Sequence, residues 1–320
     1  MARSAGENRA ARAAVVDRGS AAVGDTELRW GGSTHVGNAR QVNEDDLVLS
    51  PPVFAVIDGM GGHARGDVAS GLAAAGLAAL GTSEGATHPA DSDAVMATLL
   101  GVHEAIQAAA VGGADMGTTV VAAVVVDVGG ELGWVIANVG DSRAYSYEAG
   151  ALHQLSVDHS YVQELVDLGT ITSAMARVHP DRNVVTRALG MGDGVEPDFW
   201  FRPIRMGERL LLCSDGVYGE VPDARIAAIL QAAGDPGDAV ERLMAEVLAG
   251  PGLDNATAVV VERVGELAVE PVAASPDATT KERTAPRRRQ RRPRARRVDG
   301  ASPTVSDESP EGLIEVPEWS

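Results

Sequence analysis

The chain has 320 residues, 45% of them hydrophobic, which is apolar material enough for one large domain or two small ones. A formal net charge of −18 argues against nucleic acid as the partner of the folded part. The single cysteine, Cys213, excludes an intramolecular disulfide and a cysteine-based zinc site, and with aromatics at only 3%, Ala, Val, Leu and Ile must fill the core.

Residues 1–26 are rich in Ala, Arg and Gly and lack periodicity, so a flexible lead is expected there. They contain no apolar signal core, and no segment reaches the length of a membrane span, so a cytoplasmic protein, monomeric, is expected. Structured sequence is expected from near Leu28-Arg29-Trp30 to about Val264. Val53 to Ile57 reads as a strand ending at Asp58-Gly59. Asp67–Leu80 and Asp93–Ala110 then read as a pair of helices. Val120–Val126 and Gly133–Asn138, split by Asp127-Val128-Gly129-Gly130, read as a hairpin.

From Ser156 to Gly190 the pattern changes. Asp158-His159-Ser160 opens a helix over Tyr161–Leu168, stopped by Gly169. A short helix and the polar stretch His179-Pro180-Asp181-Arg182-Asn183 follow, the composition of a mobile flap beside a site. A second helix pair, Asp223–Ala233 and Asp238–Leu248, is broken by Gly234-Asp235-Pro236-Gly237, with Pro222 at the first turn of the earlier member. Strand groups with helices in pairs indicate an α+β domain. After Val264 the apolar pattern ends, and residues 265–320 are expected to be a disordered tail. Its segment 281–297 holds ten basic residues and one acidic one, a run suited to anionic lipid, RNA or the acidic domain itself.

Four aspartates, Asp58, Asp141, Asp215 and Asp254, each stand beside a short apolar run at a turn. A lone Asp-Gly after a strand is ordinarily a hairpin turn. Four such rims at one end of a sandwich would gather hard oxygen ligands whose mutual repulsion calls for cations of the Mg²⁺ or Mn²⁺ type. Gly59-Met60-Gly61-Gly62 imitates a dinucleotide loop, but Asp58 directly before it would repel a pyrophosphate. There is no Walker loop, no arginine at the spacing of a cysteine-dependent phosphatase after Cys213, and no serine in a nucleophile elbow.

Eight blocks now fall in order. Thr34, Val36, Gly37, Arg40 and Asn43-Glu44-Asp45 precede Val56-Ile57-Asp58-Gly59-Met60-Gly61-Gly62-His63. Met116-Gly117-Thr118-Thr119, Val139-Gly140-Asp141-Ser142-Arg143 and Asp158-His159-Ser160 follow. Thr186-Arg187-Ala188-Leu189-Gly190, Cys213-Ser214-Asp215-Gly216 and Asp254-Asn255-Ala256-Thr257 complete the series. In this order and spacing they resemble the metal-dependent serine/threonine protein phosphatases (PPM, type 2C) in their bacterial form, over about residues 27–264.

The resemblance implies a four-layer αββα sandwich: two antiparallel sheets flanked by helix pairs, with a small flap over about residues 156–190. It implies two Mn²⁺ or Mg²⁺ ions, and a third in bacterial members. By motif, Asp58 would bridge two ions, the Gly59 carbonyl would bind one, and Asp215 and Asp254 would ligate from the opposite sheet. Asp141 with Asp215 would hold the third ion, Glu44 would hold metal-bound water, and Arg40 would grip the substrate phosphate. The implied activity is hydrolysis of phosphoserine and phosphothreonine in phosphorylated protein substrates by a metal-bridging hydroxide, countering a bacterial Ser/Thr kinase.

Two positions depart from the pattern. His35 stands where many relatives carry an acid, and Met60 stands where eukaryotic members carry a candidate general-acid histidine. Met cannot donate a proton, and His63 nearby is expected to pack the turn. Neither departure removes an implied ligand. The alternative is a pseudophosphatase that binds phosphoproteins without turnover, against which the intact ligand set counts.

Overall fold

Successive side chains of a strand point to opposite faces. In the central strands of this chain both parities are apolar, so each sheet must be covered on both sides. The computed structural model describes residues 14–61, 65–82, 88–110 and 116–266. One antiparallel sheet runs β1 (Asp17–Val23), β2 (Thr26–His35), β12 (Ala256–Glu266), β11 (Arg209–Cys213), β8 (Arg143–Glu148) and β9 (Ala151–Gln154). The other runs β10 (Asp198–Pro203), β7 (Glu131–Val139), β6 (Val120–Val128), β4 (Val53–Gly61) and β3 (Asp45–Ser50), with β5 (Met116–Thr118) paired to the end of β4.

The alternation along β4 shows how the layers form. Val53, Ala55 and Ile57 pack on α1 (Gly66–Thr82) and α2 (Ser92–Ala109), through Ala69, Ala73, Leu77, Val95 and Leu99. Phe54 and Val56 face the other way, meeting Val121, Trp134, Ile136, Leu210, Leu212 and Val259 between the sheets. On the far side Leu211, Cys213 and Val260 pack against α6 (Asp223–Ala232) and α7 (Pro236–Ala249). The result is the expected αββα sandwich, each layer boundary a dry apolar cluster. Three of the scarce aromatics sit between the sheets: Phe54 lies 5.4 Å from Trp30 and 6.1 Å from Trp134, centroid to centroid.

The polar stretches of the sequence fall at one end of that middle layer. The inward parity that carries Leu47, Phe54, Val121, Ile136 and Val259 continues to Asp45, Asp58, Thr119, Asn138 and Thr257. The inter-sheet core therefore turns from apolar to acidic and hydroxylic within one strand residue pair.

Several boundaries differ from expectation. Residues 17–23, assigned to the flexible lead, form β1, paired to β2 through the two-residue turn Gly24-Asp25. The segment Asp17-Arg18-Gly19-Ser20-Ala21-Ala22 has no large apolar side chain, so its strand character comes from the partner. Trp30 of β2 fills the space above Gly19, where a Cβ would stand 2.3 Å from the indole. Helix α7 starts at Pro236, inside the expected break, with Asp235 capping the Asp238 amide. Strand β12 continues to Glu266. The basic run 281–297 and His63 lie outside the described residues.

Residues 156–190 leave the sandwich as α3 (Tyr161–Asp167), α4 (Ser173–Ala176) and turns. This flap is stitched down at both ends. Thr186 N–H donates to His159 O (2.8 Å), Leu189 and Thr118 exchange N–H···O bonds (2.9 and 3.1 Å), and Gly190 N–H donates to His103 Nδ1 (3.0 Å). His159 also meets Gly140 twice: its own amide donates to Gly140 O (2.9 Å), and Gly140 N–H donates to its Nδ1 (3.1 Å). An Nδ1 that accepts carries no proton, so the imidazole is neutral.

This packing has consequences for stability. A Cβ on Gly31 of β2 would stand 2.5 Å from the Gly237 Cα, backbone against backbone, whereas one on Gly237 would meet only the Arg18 side chain. Gly31→Ala should therefore cost on the order of 1–3 kcal/mol in urea unfolding, and Gly237→Ala clearly less. A pH dependence is expected from His159, whose pKa is lowered from 6.5, chiefly by burial. A depressed folded value means the unfolded chain binds the proton more readily. The histidine's contribution is then present above its unfolded pKa and is lost as pH falls through the lower folded value. Thermal stability should drop between about pH 7.5 and about pH 5.5 more steeply in the wild type than in His159→Gln, which keeps an acceptor but does not titrate.

Candidate active site

The turn from apolar to acidic at the sandwich end opens onto a cavity of about 840 Å³. Its lining includes Arg40, Glu44, Asp58, Gly59, Asp141, Asp215 and Asp254, so every site residue expected from the motifs is brought to one place. They come from distant parts of the chain. Asp58 and Gly59 lie on β4, Asp141 follows β7, Asp215 opens α5 (Asp215–Tyr218), and Asp254 precedes β12.

The carboxylates raise one another's pKa. Asp58 stands well above the ordinary carboxylate range, first through burial, then through Asp45, Asp215, Asp141 and Asp254. Asp141 is pushed up to about 8 by burial and by Asp215 and Asp158. Asp215 is raised by burial and by Asp254. Such a group of anions needs positive charge to ionise together. Among the described residues no three acidic, imidazole or thiol groups close on one point as a finished cage. The aspartates ring the cavity instead. An all-oxygen, open ring fits Mg²⁺ or Mn²⁺, which keep waters and take few carboxylates each. The donor set therefore suits the implied ions.

Arg40 stands on the rim, its Nη2 donating to Asp254 Oδ2 at 2.7 Å with the side chain half exposed. That hydrogen bond raises the pKa of Arg40 further, so the guanidinium remains charged. Glu44 differs somewhat from its expected part: its Oε1 accepts from Gly66 N–H (3.1 Å) at the start of α1. One oxygen thus satisfies a helix terminus while the side chain still lines the cavity. His35 is not part of the cavity lining, and its Nδ1 accepts the Gly37 amide (3.0 Å).

Three residues quoted only as motif letters turn out to hold the site together. Asp45, paired across the β3–β4 ladder with Asp58, accepts from Ser214 Oγ (2.9 Å) and Thr257 Oγ1 (2.7 Å). It thereby ties the segments before Asp215 and after Asp254 to the opposite sheet. Asn255 donates to Val36 O and Val42 O (both 3.0 Å) and accepts from Glu44 N–H (2.9 Å), which pins the loop carrying Arg40. Thr119 Oγ1 accepts the Asp58 amide (3.2 Å) and bonds Ser142 Oγ (2.8 Å). Ser214 beside Asp215 and Asn255 beside Asp254 are visible in the sequence, but their partners are remote along the chain.

Two close approaches complete the geometry. A Cβ on Gly216 would stand 1.9 Å from Asn255 O, so glycine there lets the Asp215 and Asp254 turns touch. Arg143 does not line this cavity. It is bonded to Asp158 by Nε (2.9 Å) and Nη2 (2.6 Å), and lies 3.8 Å over the Tyr218 ring. Tyr218 in turn donates its hydroxyl to Asp141 O (2.9 Å). That stack fixes the backbone of Asp141 from the flap side. Among the described residues no helix is long and apolar enough to cross a membrane.

Residues 32–249 match the family model described as Protein phosphatase 2C. The chain is 38% identical over 241 residues to the serine/threonine protein phosphatase PstP of Mycobacterium tuberculosis, covering 74% of this chain and 45% of PstP. It thus spans about half the length of that curated relative. It is 36% identical over 240 residues to the serine/threonine phosphatase stp of Listeria innocua, covering 72% of this chain and 94% of stp. A crystal structure of the PstP catalytic domain in complex with two manganese ions superposes with a TM-score of 0.67 at 36% identity, covering 74% of this chain and 99% of that one. The segment matched by the family model takes in Asp58, Asp141 and Asp215, and the chain belongs to the protein phosphatase 2C family.

Proposed function

We propose that this chain is a metal-dependent protein phosphatase that hydrolyses phosphoserine and phosphothreonine, with Mn²⁺ or Mg²⁺ as cofactor. The observation that carries the proposal is the ring of Asp58, Asp141, Asp215 and Asp254 with Arg40 on one cavity. The names of the relatives, serine/threonine phosphatases, support the substrate class. A Ser/Thr kinase is the expected counterpart, and a cytoplasmic monomer the expected setting.

A phosphomonoester dianion is a poor electrophile in an anionic cavity. The bound cations would neutralise it and lower the pKa of a shared water, which supplies the nucleophile. The chain's own residues do the rest. Asp58, the Gly59 carbonyl, Asp215 and Asp254 would hold the ions, and Asp141 with Asp215 would form a third site. Arg40 orients the phosphoryl group by its two-pronged fork. Water's oxygen joins phosphorus as the serine or threonine Oγ–P bond breaks. Met60, on the cavity wall, has no proton to give, and the leaving oxygen is protonated by another donor, for which water is the candidate.

Hydrolysis of p-nitrophenyl phosphate and a phosphothreonine peptide, with Mn²⁺ and with EDTA, tests the reading. Asp58→Ala should lose roughly a thousandfold in kcat, several kcal/mol of transition-state stabilisation, while its circular dichroism is unchanged. Full activity in that variant would sink the assignment; metal binding with no turnover would favour the binding-only protein. Arg40→Ala should raise KM for the peptide roughly tenfold, since a hydrogen bond to a charged group is worth ~1.5–3 kcal/mol. Arg40→Lys should recover only part of that, because a point charge cannot replace the fork.

A further inference from the structure

We infer that the flap side of this cavity is a subsite for an apolar side chain flanking the phosphorylated residue, read by Val185, Met191 and Val195. The inference rests on the phosphatase reading above and names the class of sequence that the site prefers.

The cavity is larger than its chemistry requires. At about 840 Å³ it is of the size that accepts a whole drug-like ligand, and a phosphothreonine side chain fills only a small part. Its two sides differ in character. The floor, from the ends of the sheets, is acidic. The other side, from the end of the flap, carries Met191, Val185 and the half-buried Val195, interleaved with Asn183, Thr186 and Arg187. Met191 is 43% exposed, a large apolar side chain left to water beside the catalytic floor. Arg187 on that wall pairs with Asp198 (Nη1–Oδ1 3.2 Å), which offsets its charge. Glu196, exposed farther along the same wall, would repel an acidic neighbour of the phosphoresidue.

The wall is preformed and set at a fixed offset from the reacting centre. Leu189 and Thr118 exchange backbone bonds, and Thr118 Oγ1 donates to Asp58 O at 2.9 Å. Gln107 Nε2 donates to Gly192 O at 2.7 Å, holding the turn just beyond Met191. A Cβ on Gly117 would stand 2.7 Å from Met191 Cγ, so this methionine lies directly against the β5 backbone. A flexible thioether on a rigid support accepts apolar side chains of varied shape. A peptide whose phosphoryl group reaches the floor has this wall within reach of a neighbouring side chain, since both line one cavity.

The test is a set of phosphothreonine peptides in a Gly/Ser background, with Leu, Glu or Lys placed singly at the two positions on either side. In the wild type, Leu should exceed Glu in kcat/KM at one or more positions by roughly tenfold, the scale of discrimination in an apolar pocket. In the double variant Met191→Gln, Val195→Thr that ratio should collapse to about twofold or less, with turnover of p-nitrophenyl phosphate, too small to reach the wall, unchanged. Met191→Leu should retain the preference. A ratio below about threefold at every position, or one that survives in the double variant, overturns the inference. The same ratio is read as peptide affinity by fluorescence anisotropy on Asp58→Asn. Absence of turnover in the wild type would therefore sink the phosphatase reading while the affinity ratio still decides this one.

Discussion

Burial of several carboxylates side by side is the constraint around which this domain is built. Asp45, Asp58, Asp141 and Asp215 each have a raised pKa, and in each case burial is the leading cause. No arrangement of these side chains alone relieves the charge. Arg40 offsets part of it at Asp254, from the rim. The rest calls for cations, and the same cations are what a phosphate dianion requires. The electrostatic problem of the fold and the chemical problem of the reaction have one solution.

Holding like charges together requires a rigid frame, and the frame is the dry interior of the sandwich. Apolar parity on both faces of the central strands forces helices onto the outside and side-chain interdigitation onto the inside. The aspartates then occupy the last positions of that order, where strand geometry is still defined but the core has ended. Hydroxyls anchor Asp45 and Asp58 there, and Arg40 anchors Asp254. Ser214 and Thr257 converge on Asp45, and Thr119 holds the Asp58 backbone. A neutral donor fixes a carboxylate without competing for the charge that a metal ion would satisfy.

The flap extends this frame to the substrate side. Its base is bonded to the same strands that carry the site, through His159 to Gly140 and through Leu189 to Thr118. Asp141 is held from both directions, by the His159–Gly140 pair and by the Arg143–Tyr218 stack. The part of the molecule that meets substrate is therefore mechanically continuous with the part that would hold the ions.

Much of this is legible in the linear order of residues. Four aspartates at strand ends, the glycines beside them and the helix pairs are local patterns, each set by hydrophobic period and turn chemistry. Together with the order of the motif blocks, they assign Arg40, Asp58, Asp141, Asp215 and Asp254 to one site. Strand β1 is not legible, because Gly19, Ser20 and Ala21 acquire their conformation from β2 and the bulk of Trp30, not from their own propensity. Nor are the roles of Asp45 and Asn255, whose partners lie more than 200 positions away along the chain in Thr257 and Val36. The apolar wall of Val185, Met191 and Val195 is likewise a product of the flap's return onto β5. Which groups carry charge, and where most strands and helices begin and end, follow from near neighbours along the chain. Which hydroxyl meets which carboxylate, and what lies across from the acidic floor, do not, because those contacts join segments that become adjacent when the two sheets close on one another.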